Sequence, residues 1–560
     1  MRKTIPLIIL VVLALVGAAA GYTWRKQLSA WAFSLTGEES LAGQARGVAQ
    51  LALGLSRARP DTDPGAFVEY ADVNPFGVNT FLHNEVEEGK RDETLRLLSD
   101  AGFHWIRQQF PWEDIEIHGR GDFIDRRNDP GGVDAWTKYD NIVDLVEQHE
   151  MELIVRLDNP PSWSRSQPDE VIGSFAPPDD YDDFARFAGI VAERYRGRVR
   201  FFQVWNEPNI YPEWGEQSVS PEAYTDLLCR AYQAIKTANP DAVVISGTLA
   251  PTSEVSGRDF NDFLFLQRMY RAGAGPCFDI LSVQGYGLWS GPTDHRMRPI
   301  VINYARNQYI RDIMVQNGDA HKAIWISEMN WNAAPEDVEP RYGRVTLDQQ
   351  ARYAPLAYQR AEEEWPWVGV VSFWYFKRPD WSWLDERRPE AYFQMADPDF
   401  NMMPVYETMK AYTSQTPMIY SGTHAATHWA IGYGSGWAEA PQDKFAMRGT
   451  QDSGLAGLRF AGRRLVFELG EGAGALRYRV DNGPWQETDP TNRMPTLWSG
   501  SYGEHQVEFS PTGPLTVSRV IVSGETSPGT LRVLGVLAAG GVALLAIIYM
   551  RQGHQEPADA

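Results

Sequence analysis

Short apolar runs alternate with longer segments of helical period across the middle of this chain, from residue 73 to residue 416. Eight of the apolar runs are strand candidates, and they begin at Phe76, Phe103, Glu152, Arg200, Ala242, Phe278, Ala323 and Gly369. The helical segments that separate or follow them are Lys90–Ala101, Trp136–His149, Asp180–Arg196, Pro221–Ala238, Asp259–Ala272, Ile300–Gln316, Leu347–Glu364 and Pro404–Thr413. Eight strands that are each followed by a helix predict an α/β fold, the (β/α)8 TIM barrel.

The pattern changes after Met418, where short β-type runs punctuated by Gly, Asn and Pro replace the helical period. Residues 420–525 are therefore predicted to form a second, smaller domain, an all-β sandwich. Within this domain, Asn482-Gly483 stands between two strand-like runs and predicts a tight hairpin turn.

Both ends of the chain are apolar. Residues 1–22 start with two basic side chains and then run apolar, which is typical of a signal peptide or an uncleaved signal anchor. Residues 532–550 contain an apolar run that would be ~27 Å long as a helix, about the thickness of a hydrocarbon core. We interpret this run as a transmembrane helix, with residues 551–560 as a short tail and residues 23–72 as a stalk or linker. If both segments span the cell membrane, the two domains between them are extracytoplasmic.

Charge and motifs exclude several kinds of partner. The net charge of −21 would repel a phosphate backbone, so nucleic acid is not expected to bind. Cys229 and Cys277 lack metal-ligand spacing and allow at most one disulfide, and two buried thiols are the expectation. His83, His104 and His118 also lack metal spacing and are expected to be structural. No phosphate loop, dinucleotide fingerprint or nucleophile elbow occurs, so no cofactor is expected.

Carboxylates follow two of the predicted strands at the end of a barrel where chemistry takes place. Strand four ends in "WNEP" with Glu207, and strand seven ends in "ISEMN" with Glu328. The strand period of two places Gln203 and Trp205 on one face with Glu207, and Ile326 on one face with Glu328. Both carboxylates are then expected to point into the barrel mouth from opposite sides. Two carboxyl groups that flank one bond can hydrolyse a glycoside, one as proton donor and the other as nucleophile.

The pair of motifs "WNEPN" and "ISEMNW" resembles the retaining glycosidases of glycoside hydrolase clan A, which include cellulase-like and β-xylosidase-like families. The resemblance covers the barrel, residues 73–416. It implies that Glu207 is the general acid/base and Glu328 the nucleophile, and that no cofactor is needed. Asn206 would then bind the sugar 2-hydroxyl.

The resemblance also implies roles for several residues around the pair. Tyr286 would hydrogen-bond the nucleophile, Arg107 would keep it ionised, and Trp374 would form a platform for the sugar. Asp158 and Trp163 in "LDNPPSW" resemble residues of loops that shape a glycone pocket. Each has an alternative: a structural ion pair or packing role for the tyrosine and arginine, a core position for Trp374, and a rigid turn in which Asp158 caps backbone amides.

The function expected from these features is a membrane-anchored, extracytoplasmic glycosidase that cleaves an oligo- or polysaccharide by a two-glutamate retaining mechanism. A transglycosylase with the same site and a catalytically silent glycan-binding protein are the alternatives. Retention of both Glu207 and Glu328 argues against the silent protein. The β domain resembles galactose-binding-like jelly-roll modules at "VDNGPW" and "GEHQVEF", and it is expected to support the barrel and to add carbohydrate contacts.

Overall fold

The computed structural model describes residues 26–54 and 56–524. These residues fall into two compact units, of which the first comprises residues 26–54, 56–59 and 293–297, and the second the remainder. The predicted N-terminal segment, residues 1–22, and the predicted transmembrane helix, residues 532–550, lie outside the described residues. Within residues 26–54 and 56–524, no helix is long and apolar enough to cross a membrane.

The first unit is a pair of helices with one peptide strip. Helix α1 covers residues 26–36 and α2 covers Leu41–Gly54. Arg296 of the strip forms ion pairs with Asp294 at 2.7 Å and with Glu38 at 2.8 Å.

The segment predicted as a stalk, residues 23–72, is more structured than the sequence suggested. Most of residues 26–54 is helical, and residues 60–72 belong to the second unit. There Phe67 bridges Thr423 and Glu69 bridges Lys322, while Val68 is 3% exposed. Backbone bridges and the burial of Val68 thus fix, within the second unit, a stretch whose composition resembles a linker.

The second unit contains the predicted barrel. Its strands are β1 (Phe76–Thr80), β2 (Trp105–Pro111), β3 (Glu152–Asp158), β4 (Phe201–Val204), β5 (Val243–Ile245), β6 (Leu281–Gln284), β7 (Ile324–Met329) and β8 (Val368–Phe373). All neighbours pair in parallel, in the order β5-β4-β3-β2-β1-β8-β7-β6. Parallel bridges Ile245–Ile280 and Leu249–Val283 join the two ends of this order into a ring. The barrel prediction is therefore confirmed, with all eight strands in their predicted places.

The helices that follow the strands are α3 (Glu88–Asp100), α4 (Thr137–Gln148), α6 (Tyr181–Arg194), α7 (Pro221–Ala238), α8 (Asp262–Arg271), α9 (Asn307–Gln316), α10 (Leu347–Glu364) and α12 (Pro404–Thr413), with single turns α5 (Asp169–Ile172) and α11 (Ser382–Asp385) in loops. Local signals set many of the bounds. Ser220 caps α7, and Thr346 with Gln349 forms a capping box at α10. Helix α9 begins seven residues later than predicted, because a 3-10 turn, Tyr304–Arg306, precedes it.

Cys229 of α7 and Cys277 form a disulfide, with their Cα atoms 4.8 Å apart. The expectation of two buried thiols was wrong. Cys277 follows α8 in the chain, and the packing of that region against α7 brings together two cysteines that are separated by 48 residues. No local pattern in the sequence predicts that proximity.

The region after the barrel is all-β, as predicted. Its strands are β9 (Gly422–Ala425), β10 (Ala438–Ala440), β11 (Asp443–Gly449), β12 (Ala456–Gly472), β13 (Leu476–Val480), β14 (Gln486–Glu487), β15 (Thr496–Pro511) and β16 (Leu515–Ser523). Hydrogen bonds join them into one sheet, in the order β10-β11-β16-β12-β15-β13-β14 with β9 also on β16. The sheet therefore encloses its core by means of long, shared strands, not as two separate sheets.

Strand β12 contributes buried side chains to that core on both sides of a register shift near Gly462. Leu458 and Phe460 are buried before the shift, and Leu465 and Phe467 after it, so the alternation changes phase. The predicted hairpin forms between β13 and β14, but its turn is centred on residues 481 and 482, with φ angles of 49° and 58°, and not on Asn482-Gly483.

A buried cluster joins the barrel to the β domain; we call Asp72, His424 and His428 the junction cluster. One oxygen of Asp72 lies 2.7 Å from His424 Nδ1, and the other accepts from the Ala425 amide at 2.6 Å. The donor atoms of the three side chains lie within 4.8 Å of one another, as in a metal site. However, His428 Nδ1 accepts from the Ala430 amide, so its Nε2 must carry a proton. The cluster is thus built as a hydrogen-bonded ion pair.

Candidate active site

The backbone turns sharply where strand β4 ends. Gln203 faces the barrel interior, but Trp205 has a φ of 78° and packs outward, edge-on against Phe184 and Trp214. The predicted common face of Gln203, Trp205 and Glu207 was therefore wrong beyond Gln203. Glu207, with a φ of 39°, turns back toward the mouth. Positive φ values are rare for such residues, and the local strain directs the carboxyl group into the site.

At the end of β7, a β-bulge changes which side chains face the barrel mouth. Trp325 and Ser327 face the interior, where Ser327 Oγ lies 3.2 Å from Gln203 Nε2. Ile326 and Glu328 pair with consecutive residues of β6, so Ser327 is an extra residue. The predicted shared face of Ile326 and Glu328 was wrong, and the bulge is what brings Glu328 inside.

Glu328 is buried and held at both oxygens. Arg107 Nη1 lies 2.8 Å from Oε1, and the Tyr286 hydroxyl donates to Oε2 at 2.7 Å. Arg107 is itself 2% exposed and donates to Asn79 and Asn206, each at 2.8 Å. A buried cation and a hydroxyl donor together favour a carboxylate in one fixed orientation. This is the state in which a carboxyl group can act as a nucleophile.

Glu207 is in the opposite state. Burial raises the pKa of its carboxyl group to about 8, with further contributions from the negative charges of Glu328 and Glu213. Gln284 Nε2 donates to Glu207 Oε1 at 2.8 Å. At neutral pH the group keeps its proton and can donate it. The site thus separates two glutamates into one charged and one neutral partner.

Glu213 is a third carboxyl group that the sequence analysis missed. Burial raises its pKa to about 7, while Arg156 lowers the pKa and Asp158 raises it. The side chain of Asn206 also lowers the pKa of Glu213. Glu213 lies in an irregular loop six residues after Glu207, where no periodicity indicates which side chains point inward.

The remaining predicted site residues line the walls. Trp374 is half-buried and packs edge-on against Phe81 at 5.7 Å. Together with Arg107 and Arg156 it borders a small cavity at the mouth. This half-buried position at the mouth suits a platform for a sugar better than a core position.

Asp158 and Trp163 contact neighbouring loops and strands. Asp158 accepts from Gln109 Nε2 at 2.8 Å and lies 2.8 Å from Arg156 Nε. These partners are side chains, whereas a cap of the turn would bind backbone amides. The Trp163 indole donates to the Glu116 carbonyl at 2.7 Å. Asp158 therefore belongs to the charged wall of the site, and Trp163 to its support.

The three histidines considered in the sequence have no common centre in the described residues, where the junction cluster is the only group of three metal-type donors. His83 is buried beside Gln108, at 2.7 Å, and burial lowers its pKa to about 3. It is a neutral hydrogen-bonding residue.

Residues 68–337 match the sequence model of cellulase, glycosyl hydrolase family 5. The matched segment runs through the first seven barrel strands and contains both Glu207 and Glu328. This barrel is a glycoside hydrolase domain of clan A. The predicted resemblance and the predicted enzyme class are thereby confirmed.

Other comparisons add only distant likenesses to this clan A hydrolase. No curated protein matches the chain significantly. Among solved structures, a family 39 glycoside hydrolase from Bacteroides cellulosilyticus WH2 is 15% identical, with 82% of this chain and 83% of that chain covered and a TM-score of 0.43. A monomeric beta-xylosidase from Caulobacter crescentus CB15 is 13% identical, with 83% and 98% covered and a TM-score of 0.43. Native xylanase 10B from Thermotoga maritima is 17% identical, with 60% and 94% covered and a TM-score of 0.41.

Proposed function

We propose that this protein is a retaining glycosidase that cleaves an oligo- or polysaccharide outside the cytoplasm, anchored in the cell membrane. One observation carries the chemistry: Glu328 is held by Arg107 and Tyr286, while Glu207 keeps its proton. A charged and a neutral carboxyl group at one mouth are the two reagents that the retaining reaction needs.

In the first step, Glu328 attacks the anomeric carbon while Glu207 donates its proton to the glycosidic oxygen. The bond from carbon to that oxygen breaks, the leaving sugar departs as an alcohol, and the glycone is bound to Glu328 as an ester. The amide group of Asn206 can bind the sugar 2-hydroxyl as this step proceeds.

In the second step, the charge relationship reverses. Glu328 is now a neutral ester, so its charge no longer raises the pKa of Glu207, which has become ionised. Glu207 takes a proton from water, the water oxygen attacks the anomeric carbon, and Glu328 leaves as a carboxylate. Two inversions give net retention of configuration.

Exposed aromatic side chains support a substrate of several sugars. Tyr211, Trp289 and Trp381 are 41%, 66% and 41% exposed, in the loops after β4, β6 and β8. These loops surround the mouth, because they leave the carboxyl ends of the strands. Flat rings there can stack on sugar residues beyond the one that reacts.

Two features support a site outside the cytoplasm. The disulfide between Cys229 and Cys277 is typical of an oxidising compartment. The apolar segments near both ends of the sequence are of the kind that anchor proteins. Alkaline phosphatase fused after residue 524 in a bacterial host should be active if that part of the chain is exported. An inactive but stable fusion would contradict the topology.

The test of the activity uses the purified full chain in detergent. Aryl glycosides and β-linked polysaccharides are screened, and the anomer first released is read by proton nuclear magnetic resonance. We expect turnover with retained configuration. An inverted product would contradict the roles of the two glutamates, and binding without turnover on every substrate would favour the silent glycan-binding protein. Transfer to an added sugar in preference to water would identify a transglycosylase.

A further inference from the structure

The β domain contains a cavity of about 700 Å³ that the reaction steps above do not use. Its walls come from the segment after α12, the loop between β9 and β10, strands β12 and β15, and the turn after β13. The volume lies within the range of about 300–1,000 Å³ that is typical of small-molecule sites. We call it the β-domain cavity.

The β-domain cavity lies at the end of the barrel opposite the mouth. Its wall includes Pro417, which follows α12, and Thr413 Oγ1 at the end of α12 donates to the Ala101 carbonyl at 2.6 Å. Ala101 ends α3 and precedes β2, so it lies at the amino end of the strands. Catalysis in such a barrel takes place at the carboxyl ends. A small ligand in the cavity therefore does not contact Glu207 or Glu328.

Polar side chains with unused hydrogen-bonding groups line the cavity from β12 and β15. Arg459 donates to Glu504 at 3.2 Å through one Nη atom, and the two side chains are 37% and 67% exposed. Gln506 is exposed, and its side chain makes no hydrogen bond to the described residues. The guanidinium group, the carboxylate and the amide are thus available to a ligand.

His505 also lines the cavity, and its ring is held in one orientation. Nδ1 lies 2.7 Å from Asp481 Oδ2, and the ring packs on that of Trp498 with centroids 3.8 Å apart. Because a carboxylate only accepts, Nδ1 donates, and in the neutral ring Nε2 carries the lone pair. Nε2 is buried and has no hydrogen-bond partner in the part of the chain that the structure describes. A buried polar atom without a partner is costly, and a ligand hydroxyl group would supply the missing donor.

One wall of the cavity is bare main chain. Gly432 and Gly457 face each other in an isolated bridge, with hydrogen bonds of 2.9 and 2.8 Å between their amides and carbonyls. A Cβ atom added at Gly432 would have its nearest neighbour at 3.9 Å, and neither glycine has a positive φ. A side chain at position 432 is therefore compatible with the backbone and would occupy the cavity.

The charges and hydrogen-bonding groups of the lining fit a neutral polyhydroxy ligand. Asp481 and Glu504 outnumber the single cation Arg459, which disfavours an anion. Arg459 donates, Glu504 accepts and the Gln506 amide does both. A hydroxyl group also donates and accepts, so a ligand with several of them can use all three side chains. The half-buried ring of Pro417 offers an apolar surface to the C–H face of such a ligand.

We propose that the β-domain cavity is a second carbohydrate-binding site, which takes a neutral sugar unit of an oligo- or polysaccharide. It locates the carbohydrate contacts that were expected of the β domain. The site holds the hydrolase on a glycan and takes no part in cleavage. The proposal does not depend on the proposed activity, because it concerns binding at the opposite end of the barrel.

The test uses the full chain with Glu328→Gln, in a detergent without a sugar headgroup. Xylohexaose, cellohexaose and mannohexaose are titrated by calorimetry, and hydrogen–deuterium exchange locates the segments that each sugar protects. Gly432→Leu fills the cavity, while Gln506→Ala and Arg459→Ala each remove one exposed hydrogen-bonding group. Gly65→Leu is the matched control, since Gly65 is exposed in the same unit and a Cβ atom there meets nothing within 4 Å.

We expect at least one of the three sugars to protect residues 430–432 and 504–506. Gly432→Leu should weaken that binding by about 10-fold or more, because the new side chain competes for the space. Gln506→Ala and Arg459→Ala should each weaken it by about 3- to 10-fold, the effect of one hydrogen bond. Gly65→Leu should stay within about 2-fold. With Glu328 restored, all four variants should cleave an aryl glycoside at the parent's rate.

Absence of protection at the cavity by all three sugars at millimolar concentration would overturn the proposal. So would binding that Gly432→Leu, Gln506→Ala and Arg459→Ala all leave unchanged. Melting temperatures show whether each variant folds, and if Gly432→Leu does not, the two exposed substitutions decide. A parent that cleaves no glycoside would contradict the proposed function alone, since protection at the cavity is measured without turnover.

Discussion

Two ionic clusters in this protein each combine carboxyl groups with nitrogen-containing side chains, but they differ in what those groups can do. The mouth cluster consists of Glu328, Arg107, Glu207 and Glu213, and the junction cluster is the one defined above. Burial alone would raise the pKa of Asp72 in the junction cluster, but the charge and hydrogen bond of His424 lower it. In the mouth cluster, Arg107 serves one acid while the other two keep raised pKa values.

The difference is the ratio of cations to acids. At the junction, each oxygen of Asp72 has its own donor, so no proton needs to move. At the mouth, carboxyl groups outnumber nearby cations, and at neutral pH a proton stays on Glu207. Such an arrangement costs stability, and it is found where the proton is used. The comparison therefore predicts that changes at the mouth alter turnover, and that changes at the junction alter folding.

The largest effect is expected from Glu328→Gln. The substitution is nearly isosteric but removes the nucleophile, so kcat should fall by about 10^4-fold or more. The measurement is turnover of the best substrate from the screen. Glu216→Gln, an exposed change of the same kind, should keep the parent's rate, and circular dichroism should show that both variants are folded. Activity of Glu328→Gln within about 10-fold of the parent would exclude it as the nucleophile.

Glu207→Ala should have an effect that depends on the leaving group. With a sugar as leaving group, kcat/KM should fall by about 10^2- to 10^4-fold, whereas an activated phenol departs without a proton and should lose much less. The second step also lacks its base, so the glycosyl ester should accumulate. Added azide should restore turnover and give a glycosyl azide of retained configuration, read by nuclear magnetic resonance. Equal losses on both leaving groups without azide rescue would place the acid elsewhere.

The sequence was sufficient for the barrel because its signals are local. Alternation of apolar runs with helical segments located all eight strands, and the helical period located α7, α10 and α12 at their observed bounds. The motifs at the ends of strands four and seven were sufficient to place Glu207 and Glu328 at the same mouth of the barrel. A parallel barrel fixes which strand ends meet, so these two side chains could be brought together without coordinates.

The rest depended on backbone angles and long-range packing. The turn at Trp205 and the extra residue Ser327 decide which side chains face inward, and neither disturbs the apolar pattern. Glu213 approaches Asn206 through an irregular loop that carries no period. The disulfide of Cys229 and Cys277 depends on helix packing. In each case the missing information is a contact between segments that are irregular or distant in the chain.

Asp72→Asn tests the prediction that changes in the junction cluster alter folding. It removes the anion of a buried ion pair and should lower the free energy of unfolding by about 3–5 kcal/mol. Asp443→Asn is the control, since Asp443 pairs with Arg519 at a more exposed site, 3.0 Å apart, and should cost about 1 kcal/mol or less. Denaturation by urea measures both. Below its melting temperature, Asp72→Asn should keep the parent's kcat/KM, and a selective loss of kcat would mean that the junction cluster takes part in catalysis.

The smallest effect separates the two junction histidines by the sign of their pH dependence. Burial lowers the pKa of His428 to about 4 even though Asp72 opposes the shift, so the unfolded chain takes up a proton near pH 6.5 that the folded protein refuses. As the pH falls from about 7 to 5, this group should remove about 2 kcal/mol of stability.

Burial also disfavours the charged form of His424, but the charge and hydrogen bond of Asp72 outweigh it and raise the pKa. The stability from His424 is therefore complete below pH 6.5 and is lost as the pH rises through its folded pKa. In urea denaturation at a series of pH values, His428→Gln should flatten the loss of stability toward pH 5, whereas His424→Gln should keep that loss and flatten the decline above pH 6.5. Identical pH profiles for the two variants would show that the pair does not divide its charge between one protonated and one neutral ring.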